Sequence, residues 1–171
     1  IRFHPIITQG GDLVNVTPSD VRMESYVRAS NVPAMIDANE RITRALVAGA
    51  MSVGAEVELK DLPGYLPLYN NDTLNSLLQQ NAHSLIGEEN VWIAGHMTGS
   101  TDTGDLSHIM PVSHPWIGAI RGGLHGKDYV VFDDDLPYIR PAQMMAMAII
   151  DLLFDDASQA NEMLADYTPL M

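Results

Sequence analysis

The sequence predicts a mixed α/β fold in two parts. An α/β sandwich, in which an antiparallel sheet carries helices on one face, occupies residues 1–62, and a second mixed α/β part occupies residues 63–171. Three observations predict this arrangement. Strand-like segments alternate in hydrophobicity, amphipathic stretches repeat at helical spacing, and a segment rich in proline and glycine near residues 60–70 interrupts both patterns.

The first sixty residues predict strand, turn, strand, helix and strand. Residues 1–7 are rich in β-branched and aromatic side chains, and the run ends at a Gly-Gly turn signal. Residues 21–28 alternate apolar with polar, as expected of a half-buried strand. Apolar residues then recur at steps of three and four over 35–53, which predicts a helix that Gly54 ends. Residues 56–59 alternate again and predict another strand.

In the second part, helices and short strands are predicted to alternate. Asn71 or Asp72 can cap a helix whose apolar stripe extends to residue 85. Short strands are predicted at 91–94, 117–120 and 129–132. Pro141 suits the first turn of a closing helix. A second short helix is expected over 157–164.

Composition excludes several classes of protein. The chain has 171 residues, 46% of them hydrophobic, and a formal net charge of -13, so it is globular and would repel nucleic acid and anionic lipid. The absence of cysteine excludes disulfides, thiolate metal sites and cysteine nucleophiles. No apolar run is long enough to span a bilayer. With no signal core at its start we expect a cytoplasmic protein, and the opening strand without an initiator Met suggests a chain that begins in mid-fold.

One loop has the composition of a ligand-binding turn. Gly99 and Gly104 enclose Ser100 and further Ser, Thr and Asp residues between a predicted strand and a helix. Exposed backbone N–H groups at such a turn favour anions. A capped turn with no further role explains the same pattern, and the motif alone does not decide between the two interpretations.

Histidine and carboxylate are the only strong metal ligands available. His125 lies in a glycine-rich loop that lets an imidazole enter a cleft, while Asp102, Asp105 and His108 would share one side of a helix. Zinc accepts both ligand types. A solvated helix face explains the trio equally well. Of the remaining histidines, His96 and His114 are predicted in loops, and His83 lies on an apolar helix face and suits a core position.

Arg28 and Asn15 form a candidate carboxylate site. Arg28 ends its strand on the polar face and Asn15 ends the preceding strand, so both could lie near one edge of an antiparallel pair. A guanidinium binds a carboxylate in bidentate fashion. An exposed arginine without a specific partner is the alternative.

The order of these motifs resembles a known family. The segments Arg2–Gly11, Asn15–Pro18 and Tyr26–Ala29 resemble the lid, or dimerisation, domain of zinc-dependent amidohydrolases of the aminoacylase and carboxypeptidase type. The segment Gly99–Ser107, followed by Met110-Pro111 and His114-Pro115, resembles the C-terminal part of their catalytic domain. The branch of aminobenzoyl-glutamate hydrolases and aminoacylase-like dipeptidases is the most similar. The resemblance extends in order over essentially the whole chain.

The resemblance implies a function and a set of site residues. Residues 1–62 would be a partial lid domain and residues 63–171 the C-terminal part of a catalytic domain that holds two zinc ions. His125 matches the final metal ligand, and Asn15 and Arg28 match the pair that binds the substrate carboxylate. Gly99 and Ser100 match the turn that lines the cleft. The implied substrate is an N-acyl amino acid or small dipeptide, and the lid implies a homodimer.

The sequence also departs from the family. The segments that carry the other metal ligands, the glutamate general base and the first strand and helix of the lid have no counterpart here, so no catalytic residue is assigned. One ligand cannot hold two zinc ions, and the chain resembles the C-terminal portion of an amidohydrolase. A non-catalytic dimerisation or partner-binding module, inactive alone, is the main alternative. An unrelated acidic binding domain is a third.

Overall fold

The computed structural model describes residues 1–95, 97 and 99–170. It confirms the mixed α/β class. Two compact units divide the chain: the first comprises Ile1–Pro67 with His96–Asp102, and the second comprises Leu68–Gly95 with Thr103–Met171. Among the described residues, no helix is both long and apolar enough to cross a lipid bilayer.

The first unit is built on a two-stranded ribbon. Strand β1 (Arg2–Gln9) pairs antiparallel with β2 (Arg22–Arg28), and Arg2 lies opposite Arg28 at one end. The two predicted strands are confirmed, but the strand predicted at 56–59 is absent and that segment is irregular. Both faces of the ribbon are largely exposed, including Ile7 and Tyr26, so the ribbon does not bury an apolar layer of its own.

Helix α1 (Val32–Ser52) follows the ribbon and packs against β2. It begins three residues before the predicted start at residue 35, because the Asn31 side chain accepts a hydrogen bond from the Ala34 N–H at 2.9 Å and so satisfies one of the free donors of the first turn. It ends at Gly54, whose φ of 70° lies in the left-handed region that glycine tolerates without strain. The helix buries only Ala38 fully.

The second unit has its core between two helices. Helix α2 (Asp72–Ile86) packs against α4 (Arg140–Asp166) through Leu78, Met144 and Ala148. The Asn71 side chain caps α2 by accepting from the Leu74 N–H at 2.9 Å. Three residues further along each helix, the buried Asn81 amide donates to the Asp151 carboxylate at 2.9 Å. A buried pair of hydrogen-bonded polar side chains specifies one alignment of the two helices along each other.

Helix α4 is interrupted. Asp155, Asp156 and Ala157 all have φ between 51° and 58°, and Phe154 leaves the helical region just before them. Three consecutive left-handed residues that are not glycine end one helix and start another. The predicted closing helix and the predicted second short helix are therefore both confirmed as the two segments of α4.

Smaller elements connect these helices. They are a 3₁₀ turn (Glu88–Asn90), α3 (Thr103–Leu106), a π-helical turn (Asp135–Ile139), and strands β3 (Ile120–Arg121) and β4 (Val130–Val131), which pair with each other. The strand predicted at 91–94 is wrong, because this segment makes no sheet pairing. The strands predicted at 117–120 and 129–132 shrink to two residues each.

Candidate functional site

Arg28 lies at the end of the ribbon opposite the loop that joins β1 to β2. It is half-buried, and its guanidinium carbon lies 5.1 Å from the centre of the Tyr26 ring, a cation–π arrangement. Its cross-strand partner is Arg2. Side chains directly opposite in an antiparallel pair lie on one face, and like charges there repel. Two arginines therefore lie opposite each other at this end of the ribbon, in a chain of net charge -13.

Asn15 lies at the opposite end of the ribbon from Arg28. It belongs to the loop that joins β1 to β2, in a turn closed by the hydrogen bond from the Val16 N–H to the Leu13 carbonyl. The seven residues of β2 span about 20 Å between this loop and Arg28. The expectation that the two side chains share one edge is wrong within one chain, because β1 ends at Gln9 rather than near Asn15.

An ion pair closes the same loop. The Arg22 guanidinium donates to the Asp20 carboxylate at 2.8 and 3.0 Å, and this hydrogen bond and the opposite charge raise the pKa of Arg22 above its ordinary value. Both side chains are exposed, so the pair orients the end of the loop and adds little to stability.

His125 lies in an exposed tight turn between β3 and β4. The Gly126 N–H donates to the Gly123 carbonyl at 2.7 Å, and His125 takes a φ of 64° at the third position of that turn. Few non-glycine residues adopt this conformation, and histidine is among those that do more often. The turn presents the imidazole at the surface, where it is available as a ligand.

No complete metal centre is present among the residues that the structure describes. Among them, no three His, Asp or Glu side chains converge in the way that would hold a metal ion. The trio of Asp102, Asp105 and His108 therefore does not form the predicted cluster. Helix α3 is a single turn, and His108 is buried. A centre that includes His125 needs ligands from outside this part of the chain. His96 lies outside the described residues.

Gly99 and Ser100 are exposed and lie in an irregular segment. They belong to the first unit, whereas α3 and His125 belong to the second. Next to them, the Thr101 hydroxyl donates to the Asp102 carboxylate at 2.9 Å. This bond orients the carboxylate locally.

Sequence reasoning missed a buried network around Ser107. Ser107 is fully buried, and its hydroxyl accepts from the Tyr69 N–H at 3.0 Å and donates to the Gly104 carbonyl. Its own carbonyl accepts from the Tyr167 hydroxyl at 3.1 Å. These contacts join three distant segments of the second unit and give the motif around Ser107 a structural role. The small polar residues of 99–107 were the only available signal.

Two histidines of the second unit are partly enclosed. The imidazoles of His83 and His114 each keep one buried ring nitrogen without a hydrogen-bond partner among the described residues. His114 lies edge-on to Trp116, with ring centres 5.8 Å apart, and its backbone N–H donates to the Asn70 side chain at 3.0 Å. His83 was expected to be a satisfied core residue, but it is half-buried and its Nε2 has no hydrogen-bond partner among the described residues.

The cavities in the described part of the chain include two that adjoin loops. One of about 180 Å³ lies within the loop between β1 and β2, and the other, of about 310 Å³, lies beside the Ser107 network between residues 69–73 and 166–170. Neither is lined by a predicted site residue. The candidate residues are thus distributed over separate places in the chain.

The chain is similar to two named peptidases. It is 28% identical over 166 residues to the Xaa-Arg dipeptidase of Mus musculus and 27% identical over 162 residues to that of Homo sapiens. The matches cover 91% and 90% of this chain but 38% and 37% of the relatives, so the chain spans less than two fifths of their length. No protein-family model matches it. At this low identity the chain is homologous, over most of its length, to proteins named as dipeptidases.

Proposed function

We propose that this chain is part of a metal-dependent dipeptidase, which hydrolyses the amide bond of a small dipeptide-like or N-acyl amino-acid substrate. The observation that carries the proposal is the similarity to two Xaa-Arg dipeptidases over nine tenths of the chain. The relatives are named for dipeptides that end in arginine. We extend that preference to the enzyme of which this chain forms a part.

The chain supplies the C-terminal portion of that enzyme. Residues 1–62 form part of a lid and dimerisation domain and residues 63–171 form part of the catalytic domain of the aminobenzoyl-glutamate hydrolase and aminoacylase-like dipeptidase branch. The fraction of the relatives that the chain spans supports only that it is part of a longer enzyme, and the two compact units, the first of which holds residues 1–67 and 96–102, support a division near residue 62. Intact mass of the natural protein well above 18.7 kDa is the expected result.

Each candidate residue has a role in this proposal. Arg28 binds the free carboxylate of the substrate as a fork, supported by its stacking on Tyr26. Asn15 binds the same group from a second subunit of a homodimer formed through the lid, because within one chain it lies at the other end of the ribbon. The Gly99 backbone and Ser100 hydroxyl contact the flank of the scissile group.

The reaction itself depends on groups beyond this chain. His125 would contribute one ligand to a centre of two zinc ions. When bound, a divalent metal of this kind lowers the pKa of a water molecule that it holds toward neutrality. A glutamate from the rest of the enzyme would be the general base.

The charge of the chain supports a cationic substrate. A net charge of -13 raises the local concentration of a positively charged dipeptide and its association rate. We place the enzyme in the cytoplasm, since the chain has no cysteine and none of its described helices could span a bilayer.

The test is an assay of the full-length product of the gene that encodes this chain. Hydrolysis of Ala-Arg is compared with that of Ala-Glu and N-acetyl-Arg before chelation, after chelation, and after zinc is restored. We expect Ala-Arg to exceed Ala-Glu in kcat/KM by about tenfold, equivalent to about 1.4 kcal/mol, and the activity to depend on metal. Metal-independent activity, or none with any of the three, rejects the proposal.

A pair of variants tests the metal role of His125. His125→Asn keeps a residue that tolerates the left-handed φ of the turn but removes the imidazole. The expected result is a loss of about half of the two bound zinc equivalents, measured by elemental analysis. His4→Asn, at an exposed strand position, is the control and keeps full metal content. Full metal content in both variants would remove His125 from the centre.

A second candidate function is a non-catalytic module that binds a partner or a second copy. The exposed apolar side chains on the ribbon favour it, because exposed apolar patches mark interaction sites. It predicts a stable assembly with neither metal uptake nor hydrolysis from the full-length gene product. Sedimentation combined with elemental analysis of the same sample distinguishes the two functions.

A further inference from the structure

The first segment of α4 is apolar on every side. Between Arg140 and Asp151 the sequence has no charged residue, and Gln143 is the only polar one. A helix that is hydrophobic all round is normally buried in the interior of a large protein. This segment lies in the second unit, so its two faces can be compared directly.

Only one of those faces is covered. Met144 and Ala148 are buried against α2, with 6% and 5% of their surface exposed. Met145, Ile149 and Leu153 follow at i, i+4 and i+8, and Ile149 and Leu153 are 58% and 62% exposed. Ile150 and Phe154 widen this stripe. We call the exposed side chains of Met145, Ile149, Ile150, Leu153 and Phe154 the outer face of α4.

The whole chain exposes more surface than a self-sufficient protein of its mass. Its accessible surface is 12779 Å². A compact monomer of 18.7 kDa has about 8,300 Å², and two separate bodies the size of its two units have about 10,000 Å² together. The excess is thus at least about 2,800 Å², more than three times the 800 Å² or so that one partner buries in a standard interface. An excess of accessible surface of this size is typical of a segment whose hydrophobic core is completed by a second polypeptide segment.

We propose that the outer face of α4 is an internal packing surface, and that it is covered by the part of the enzyme equivalent to the portion of the Xaa-Arg dipeptidases beyond the matched segment. This inference rests on the proposed function. The match leaves over three fifths of the relatives outside it. A polypeptide of that length can bury an obligate-sized surface, and a helix without charges on this side can pack on it without desolvating an ion.

Other occupants fit the observations less well. The segment from Pro141 to Phe154 contains the charged Asp151 and is about 21 Å long at 1.5 Å per residue, too short to span a bilayer, and the net charge of -13 opposes an anionic membrane surface. A second copy would leave most of the excess surface exposed, because one interface of standard size buries only about 800 Å² on each partner.

The experiment measures association. The 171-residue chain is co-expressed with the tagged part of mouse Xaa-Arg dipeptidase that lies outside the 166 matched residues, and the mouse enzyme's own matched segment serves as positive control. We expect the tagged part to retain the chain in a one-to-one ratio. Ile149→Glu with Leu153→Glu should reduce retention by about tenfold or more, because two charges would be buried without partners.

A matched variant controls for added charge. Ser158→Glu with Gln159→Glu places the same two charges on exposed polar positions after the interruption of α4, and should be retained like the unsubstituted chain. In the isolated chain, both double variants should unfold within about 2 °C of the unsubstituted chain, because the substituted side chains are exposed.

Three results would overturn the proposal. They are failure of the unsubstituted chain to be retained where the mouse segment is, equal retention of the Ile149→Glu/Leu153→Glu variant, and a dimer of the isolated chain that the same variant dissociates. Association requires no catalysis, so an enzyme that hydrolyses Ala-Arg but fails these tests refutes the surface assignment alone. An enzyme without hydrolysis whose chain passes them refutes only the proposed activity.

Discussion

At the residue scale, the turn that carries His125 depends on Gly122. Gly122 has a φ of 90°, and a Cβ there would lie 2.1 Å from the Asp128 carbonyl oxygen. Neither the backbone conformation nor the contact can be relieved without moving the turn. Gly122→Ala should therefore lower the free energy of unfolding of the second unit by about 2–4 kcal/mol, measured by urea denaturation.

Gly123 is the matched control for that substitution. No heavy atom lies within 4 Å of a Cβ at Gly123, and its φ is outside the left-handed region. Gly123→Ala should change the free energy of unfolding by less than about 1 kcal/mol. Similar losses in both variants would mean that the turn does not constrain Gly122 as the structure indicates.

The fork geometry of Arg28 leads to a second prediction. In the full-length gene product, Arg28→Lys keeps the charge but loses the planar pair of donors and the stacking on Tyr26. We expect KM for Ala-Arg to rise by about tenfold, equivalent to about 1.4 kcal/mol, while hydrolysis of the C-terminal amide of the same dipeptide is unchanged. Steady-state kinetics on the two substrates measures both effects.

Arg41→Lys is the control for the kinetic prediction. Arg41 forms an exposed ion pair with Asp37 one turn earlier on α1, and such pairs contribute little. Its kinetics should match those of the unsubstituted enzyme. An equal effect of Arg28→Lys on the acid and the amide would show that Arg28 does not bind the substrate carboxylate.

At the element scale, helix α2 depends on its N-terminal cap. Asn71→Ala removes the acceptor of the Leu74 N–H at the start of the helix that carries Leu78 into the core. The free energy of unfolding should fall by about 1 kcal/mol, measured by thermal denaturation followed by circular dichroism. Asn71→Asp keeps an acceptor and should retain most of the stability. Equal losses would assign the effect to packing rather than capping.

The helices could be predicted because their signals are local. Asn31 and Asn71 cap the starts of α1 and α2, Gly54 ends α1, and apolar spacing defines the faces between. The short strands could not, because a segment such as 91–94 becomes a strand only if a distant segment pairs with it. Alternation in the sequence carries no information about that pairing.

The same reason explains what was missed at the candidate site. The alternation of apolar and polar residues correctly predicted the strand that carries Arg28. The position of Asn15 depends instead on where β1 ends and on the length of the loop that follows, and alternation reports neither. The Ser107 network joins Tyr69 and Tyr167 across long separations in the chain, so no local pattern reports it. The trio around His108 assumed a long helix where α3 has one turn.

At the scale of the whole molecule, charge opposes stability. A net charge of -13 generates self-repulsion in the folded state, and the ion pairs of Arg22, Arg41 and Lys60 are exposed and so offset little of it. Raising sodium chloride from about 20 to 300 mM shortens the screening length from about 20 to 6 Å. Tm of the chain should rise, measured through its tryptophan fluorescence. A Tm that falls with salt would show that attractive pairs dominate.

The interruption of α4 also affects how the molecule opens. Because Asp155, Asp156 and Ala157 turn left-handed, the ladder of hydrogen bonds stops there and helical order cannot propagate across it. Beyond the interruption, Met163 is buried and the Tyr167 hydroxyl donates to the Ser107 carbonyl. Before the interruption, α4 instead packs on α2 through Met144 and Ala148. We therefore expect the two halves of this apparent helix to open as separate units. Amide hydrogens after the interruption will exchange with solvent while those on the inner turns of α4 stay protected.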